Sequence, residues 1–436
     1  MNSRLKFFVV VGSTCVVVLL LVGAVMGSDN PQEGPYRHLA VYTEVLSRIK
    51  SDYVEEPDMK SITLGALNGM LEALDPYASY LSADQYKQYL KSSQETKADV
   101  GLVLSRRYGY VGIVDAIPGS PAAKTGLTTG DVLEAIKGVS TRDMPLAYAE
   151  QLLRGDAGSS VEVSVLRLRK PEPQKMTITR EAMAYPPVAS KMLADEIGYL
   201  QVESIAGSRV ADVATALAGL AKQGAKKMVL DLRHCSTGGP AEGLALANLF
   251  LDKGLLGYLQ GQKVARQDFP ADPAKDIWRL PLVIITNRGT SNGAEVAAAA
   301  MLDSKRAEVV GERTYGNAAL RRAVPMEDGS AILLAVAKYH APSGKAIQDG
   351  GVAPSVLTIE TEAPVDLDEE GAPVQPVKPE TPKEPEQDIL LKKAIEVLTS
   401  GVPADARAIA KKNAASEPGR NNLLPEVDVT HRPPKH

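Results

Sequence analysis

The chain has 436 residues, 44% of them hydrophobic and 23% charged, with a formal net charge of −4. That is the make-up of a globular protein with room for two or three cores, which excludes a disordered or collagen-like chain. The mild negative charge gives no reason to expect nucleic acid as a partner. Aromatic residues make up only 5%, so Ala, Val, Leu and Gly must build the interior.

Arg4 and Lys6 precede an uncharged apolar run over residues 7–26. It has about the length that spans a bilayer's hydrocarbon core, roughly 20 residues in a helix. The positive flank is expected to stay cytoplasmic, sending the chain after Ser28 across the membrane. Residues 1–28 thus read as a signal anchor or as a signal peptide cleaved near Val25-Met-Gly27. The first predicts a cell-envelope protein anchored in the inner membrane and facing the periplasm or extracytoplasmic space, the second a secreted one. Cys15 lies inside this run, leaving Cys235 alone in the exported part without a disulfide partner.

Residues 36–95 read as a helical region. Leu39, Tyr42, Leu46 and Ile49 recur at helical spacing, as do Leu64, Leu67, Met70, Leu71 and Leu74, until Asp75-Pro76 breaks the pattern. Over residues 98–182 the texture changes to short apolar runs punctuated by Gly and Pro, with strands expected at 111–114, 132–136 and 161–165 and a helix at 145–153. Within it, "IPGSPAAKTGLTTGDVLEAIKGV" at 117–139 resembles a PDZ domain of the bacterial protease-associated type. The resemblance implies capture of a peptide C-terminus by strand addition, with backbone N–H groups holding the terminal carboxylate. The matching carboxylate loop is Val100-Gly101-Leu102-Val103, and Val100, Leu102 and Leu152 are expected to line the pocket for the terminal side chain. The family loop usually carries an additional Gly where Asp99 or Val100 stands here.

Residues 184–362 alternate strands, at 198–202, 228–232, 282–286, 308–310 and 332–337, with helices at 210–223, 243–250 and 295–302, which argues α/β layering. Residues 363–387 are rich in Pro and Glu and read as an extended linker. A single amphipathic helix is expected at 388–401 and a disordered tail at 402–436.

Five ordered segments now point one way: "YVEEPDMKSITLGALNGMLEALDPYASYL" at 53–81, the PDZ signature, "DLRHCSTGG" at 231–239, "TNRGTSNGAEVAAAAMLDSKRAEVVGERTYGNAAL" at 286–320, and "KYHAPSGKAIQDGGVAPSV" at 338–356. Together they resemble the carboxyl-terminal processing proteases, also called tail-specific proteases. The resemblance implies an α/β and α+β multidomain chain with a helical N-terminal region, a PDZ domain and a crotonase-like α/β peptidase core. It also implies a Ser/Lys dyad, in which a neutral lysine takes the proton of an otherwise weak serine nucleophile.

The matched positions break that pattern. The nucleophile position falls on Asn292, the lysine position on Asn317, and the position of the glutamine that orients the lysine on Arg321. A carboxamide supplies neither an alkoxide nor a titratable base, and a guanidinium stays protonated. The family's Asn-Pro-Gly-Gly oxyanion turn reads Cys235-Ser236-Thr237-Gly238, with Thr237 and Gly238 at its oxyanion positions. Ser291 adjoins the nucleophile position but lacks a matched lysine, Cys235 reads as a packed apolar residue beside a Gly turn, and His340 reads as a packing residue. No histidine constellation suggests a metal, and no cofactor is expected. The chain reads as a pseudoprotease that binds polypeptide C-termini or an active protease relative. The alternatives are a divergent active serine endopeptidase acting on C-terminal tails, and a scaffold whose PDZ domain is packed internally.

Overall fold

The computed structural model describes residues 36–94, 98–107, 109–142, 144–167, 172–359 and 388–401. The expected membrane segment, the linker at 363–387 and the tail at 402–436 lie outside them. No helix among the described residues is long and apolar enough to cross a membrane. The chain divides into two compact units, at residues 1–66 and 67–436. In the first, the helix Tyr36–Asp52 leaves Leu39, Val41 and Val45 exposed.

The second unit begins within the helix Met59–Glu72, whose C-terminus leads to Asp75-Pro76 and the short strand β1 (Ser79–Leu81), followed by the helix Ala83–Gln94. The PDZ domain follows. Strands β2 (Leu102–Arg107), β3 (Tyr110–Ala116), β4 (Val132–Ile136), β5 (Val139–Ser140), β6 (Ser160–Leu166) and β7 (Gln174–Thr179) form an antiparallel sheet of order β2-β3-β4-β6-β7, with β5 on β4. Val111, Ile113, Leu133, Val161, Val163 and Leu153 of the helix Leu146–Leu153 close a small core of their own. β2 ends the sheet, so among the described residues one of its edges carries no neighbouring strand.

The remaining chain builds two sheets. β8 (Ala189–Met192), β9 (Ile197–Gln201), β10 (Lys227–Asp231), β13 (Leu282–Thr286), β14 (Glu308–Gly311) and β17 (Val356–Leu357) lie in the order β17-β14-β13-β10-β9-β8, parallel except for β8. β10 and β13 are almost wholly buried, as expected of parallel strands covered on both faces. On one face pack the helices Arg209–Lys222, Pro240–Asn248 and Gly293–Asp303, enclosing Leu217, Leu230, Phe250, Ile284 and Met301. On the other, Leu390, Leu391, Ala394 and Val397 of the helix Ile389–Ser400 meet Tyr199, Val229, Val283 and Val310.

β11 (Leu255–Gln260), β12 (Gln267–Pro270), β15 (Ala319–Pro325) and β16 (Ala331–His340) form an antiparallel sheet that β1 joins through Ser79↔Leu333 and Leu81↔Ala331. Thus the chain preceding the PDZ domain supplies a strand to the core that follows it. Sequence periodicity anticipated none of β1, β11, β12 or β15. β15 carries Arg321 and Arg322 and is mostly half-buried, so it shows no apolar alternation.

Candidate functional site

β13 ends at Thr286, and the chain turns through residues 287–291. The Asn287 carboxamide oxygen accepts from the His234 and Gly289 amides, and the Thr290 hydroxyl donates to the Leu232 carbonyl. Asn292 sits at the corner with φ +59° and ψ −126°, a region that costs a non-glycine residue about 1–3 kcal/mol and persists only where the surroundings enforce it. The enforcement is close packing of two helix starts. A Cβ on Gly293 would lie 2.1 Å from the Gly239 carbonyl oxygen, and one on Gly243 2.0 Å from the Gly293 carbonyl oxygen. The Ala-rich sequence of the helix Gly293–Asp303 follows from the same constraint, since every residue from Gly293 to Met301 is buried.

The second turn, after β14, carries Thr314, Tyr315, Gly316 and Asn317. Gly316 adopts φ +99°, and a Cβ there would meet the Asp349 and Gly351 backbone at 3.0 Å. One side chain fastens both turns. Glu295, fully buried, accepts from the Asn292 amide at 3.0 Å and the Asn317 amide at 2.7 Å through Oε2. Through Oε1 it accepts from the Gly316 amide at 2.6 Å and the Thr314 hydroxyl at 2.5 Å. Burial pushes its carboxyl up to about 7 against these four donors. Glu295 is therefore spent on architecture.

The structure brings Asn317 and Arg321 together: Arg321 Nη1 donates to Asn317 Oδ1 at 2.8 Å. The guanidinium also stacks on the Tyr77 ring, 4.2 Å from its centroid, with Nη2 3.7 Å from Asp75 Oδ1. A fixed cation thus stands beside the family's lysine position, held by residues from the Asp75-Pro76-Tyr77 break. Tyr77 packs edge-on against Tyr315, whose hydroxyl is hydrogen-bonded to that of Ser105 on β2.

At the oxyanion turn, Gly238 adopts φ +98°, and its carbonyl oxygen accepts the Gly293 amide at 3.2 Å. The amide that follows the nucleophile position is thereby engaged within the protein. Thr237 donates through its hydroxyl to Ser204 at 2.8 Å. Ser291 is buried and donates to the Ser236 carbonyl at 3.5 Å, with no base partner. Cys235 is fully buried in the core, and burial, reinforced by Asp115, Glu203 and Asp231, raises its thiol far above the ordinary range. Neither residue is poised as a nucleophile. His234, at φ +56°, turns its ring to Asp115, while Cys235 is buried in the core. His340 stacks flat on Tyr258 at 4.6 Å.

Asp115 escaped the sequence reading. It lies buried on β3 and accepts from Ser236 Oγ at 2.7 Å, while its other oxygen pairs with His234 Nδ1 at 2.9 Å. The His234 Nε2 in turn meets Asn287 Nδ2 at 2.9 Å. The PDZ domain is thus latched onto the oxyanion turn. An ionisable residue inside the apolar run Val-Gly-Ile-Val-Asp-Ala was the available signal.

The PDZ groove and the two turns share one cavity of about 430 Å³. Leu102, Val103 and Leu104 of β2 and Leu146, Ala147 and Glu150 of the facing helix line it on one side. Thr237, Gly238, Asn292, Asn317 and Arg321 line it on the other. Two expectations are corrected. Val100 is fully buried in the PDZ core, and Leu152 packs half-buried against that core, so neither lines the cavity; the helix turns Leu146, Ala147 and Glu150 toward it instead. Gly101 lies in the loop behind, at φ +80°. Among the described residues no group of histidine, cysteine or carboxylate side chains could hold a metal ion. Chemically the cavity offers two carboxamides, a fixed cation and a strand edge, a set suited to hydrogen-bonding polypeptide backbone.

A family model described as peptidase family S41 matches residues 196–358, and one described as a PDZ domain matches residues 112–167. The chain is 29% identical over 364 residues to the carboxy-terminal processing protease CtpA of Bacillus subtilis, covering 82% of this chain and 78% of that protein. It is 30% identical over 344 residues to the chloroplastic C-terminal processing peptidase of Tetradesmus obliquus, covering 74% of each. The solved structure of a photosystem II D1 C-terminal processing protease superposes with a TM-score of 0.60 at 27% identity, covering 73% of this chain and 92% of that one.

Proposed function

The chain belongs to the carboxyl-terminal processing protease family, and we propose that it is a member that binds polypeptides without cleaving them. The observation that carries this reading is the pair Asn292 and Asn317, seated on turns that Glu295 fastens but unable to supply a nucleophile or a base. Arg321 adds to it: a guanidinium that stays protonated and donates to Asn317 cannot supply the missing base. What remains is a cavity continuous with an open strand edge, the geometry of strand-addition recognition. The ligands are polypeptide C-termini or a segment of an active protease relative. The apolar run at residues 7–26, flanked by Arg4 and Lys6, supports a place in the cell envelope, held at the membrane and facing away from the cytoplasm.

The test is a cleavage assay on the purified chain with labelled unfolded casein, in parallel with Ser291→Ala and Cys235→Ala. No cleavage is expected. Turnover by the wild type that either substitution abolishes would establish the chain as a divergent endopeptidase instead.

A further inference from the structure

The carboxylate loop of a PDZ groove serves a ligand only if its N–H groups are available. Here the first two, at Val100 and Gly101, are engaged from within. Asp99 Oδ1 accepts from the Val100 amide at 2.6 Å and, more weakly, from the Gly101 amide at 3.4 Å. Its other oxygen is held by Arg154 Nε at 3.3 Å, from the residue that caps the groove helix. The Asp99 backbone is pinned by a two-way bridge to Glu181, at 3.0 Å in each direction, so the side chain is placed by a fixed main chain. The resemblance leads one to expect an additional glycine, with no side chain to interfere, where Asp99 or Val100 stands here.

The geometry points to Asp99 as a built-in substitute for a ligand's terminal carboxylate, so that this groove takes internal, extended polypeptide segments and does not select for free C-termini. A ligand carboxylate approaching the loop meets a like charge at the site of its donors and finds the nearby cation already paired. The β2 edge keeps its capacity for strand addition from Leu102 to Leu104, where it borders the cavity. A segment that need not end at the loop can lie along β2 and still extend past Asn292 and Asn317. This inference rests on the polypeptide-binding reading and narrows it to the class of segment bound.

The experiment titrates the full-length chain in detergent with a fluorescein-labelled decapeptide, Ser-Gly-Ser-Ser-Val-Thr-Val-Ala-Leu-Ala. The peptide is supplied as free acid, as C-terminal amide, and extended by Gly-Ser-Gly. The three forms should bind within about twofold of one another. Asp99→Ala, which keeps the backbone bridge to Glu181 and leaves Arg154 beside an open loop, should favour the free acid over the amide by tenfold or more. Asp99→Asn, which preserves shape and removes charge, should lie between, and it keeps the test decisive if the alanine variant is unstable. A wild-type preference of tenfold or more for the free acid would overturn the inference while leaving polypeptide binding intact. An acid-to-amide ratio near one in both variants would also overturn it, because Asp99 would then not be what closes the loop. Absence of binding by all three forms at millimolar concentration would remove the binding reading and this inference with it.

Discussion

Glu295→Gln tests whether one buried carboxylate fastens both turns of the site. The amide keeps an oxygen for two of the four donors and turns an NH₂ toward the other two. With that NH₂ on the Oε1 side, the Thr314 hydroxyl can rotate to accept from it, but the Gly316 N–H cannot adapt. A buried donor left without an acceptor costs about 1–3 kcal/mol. Ionisation acts in the opposite sense. With the carboxyl raised from 4.5 to about 7 by burial, the folded protein retains a proton that the unfolded chain releases across that window, so stability falls as pH rises through it. At about 1.4 kcal/mol per unit, a shift of that size is worth about 3 kcal/mol. Glutamine carries no such penalty. The substitution should therefore cost about 1–3 kcal/mol near pH 4.5 and little or nothing near pH 8, with a flatter stability profile between. Urea unfolding followed by Trp278 fluorescence reports this, because the chain's single tryptophan is buried in the same core as the helix Gly293–Asp303. A cost that is greater at pH 8 than at pH 4.5 would refute the reasoning, since donors rather than desolvation would then govern the carboxyl.

Three further outcomes are expected. Asn292→Ser alone should give no cleavage of unfolded casein, whereas Asn292→Ser with Asn317→Lys and Arg321→Gln should give measurable cleavage on turns that Glu295 already holds; activity in the single variant would mean that another residue acts as base. Cys235, with its thiol protonated and fully buried, should resist iodoacetamide in a Cys15→Ala background until urea unfolds the chain; native-state labelling within minutes would contradict its burial. Asp115→Asn should destabilise by about 1–3 kcal/mol, because the amide cannot serve both Ser236 and His234 as the carboxylate does. Hydrogen exchange should then rise in β3 more than in β10, and uniform exchange would count against a local latch.

How much of this was legible beforehand depended on the range of the interaction. The buried strands β9, β10 and β13 and the helices around them declared themselves through local apolar patterning, because both faces of each strand are covered. The two turns were legible because their small residues are demanded by backbone contact, as at Gly293 and Gly316. Of the antiparallel sheet only β16 was anticipated, since β15 is partly exposed without alternation and β1 arrives from before the PDZ domain. The work of Asp99, Asp115 and Arg321 was hidden for a related reason. Their charge is visible in sequence, but Arg154, His234, Ser236 and Tyr77, which give each charge its purpose, come from distant parts of the chain.

The helix Ile389–Ser400 is the last described element, and it covers apolar residues on four strands of the parallel sheet. Asp388, just ahead of it, is gripped by Arg233, which also clasps Asp231 at the end of β10. During synthesis, therefore, Tyr199, Val229, Val283 and Val310 have no permanent cover until residue 400 has been made. A ribosome that stops short of it releases a chain with a greasy sheet face open to solvent, ready to aggregate or to be degraded. Such a chain still carries its PDZ domain, both site turns and every residue of the cavity. Burial of this sheet face thus depends on a segment that follows every residue lining the cavity, so the cavity can be complete in a chain whose core is not.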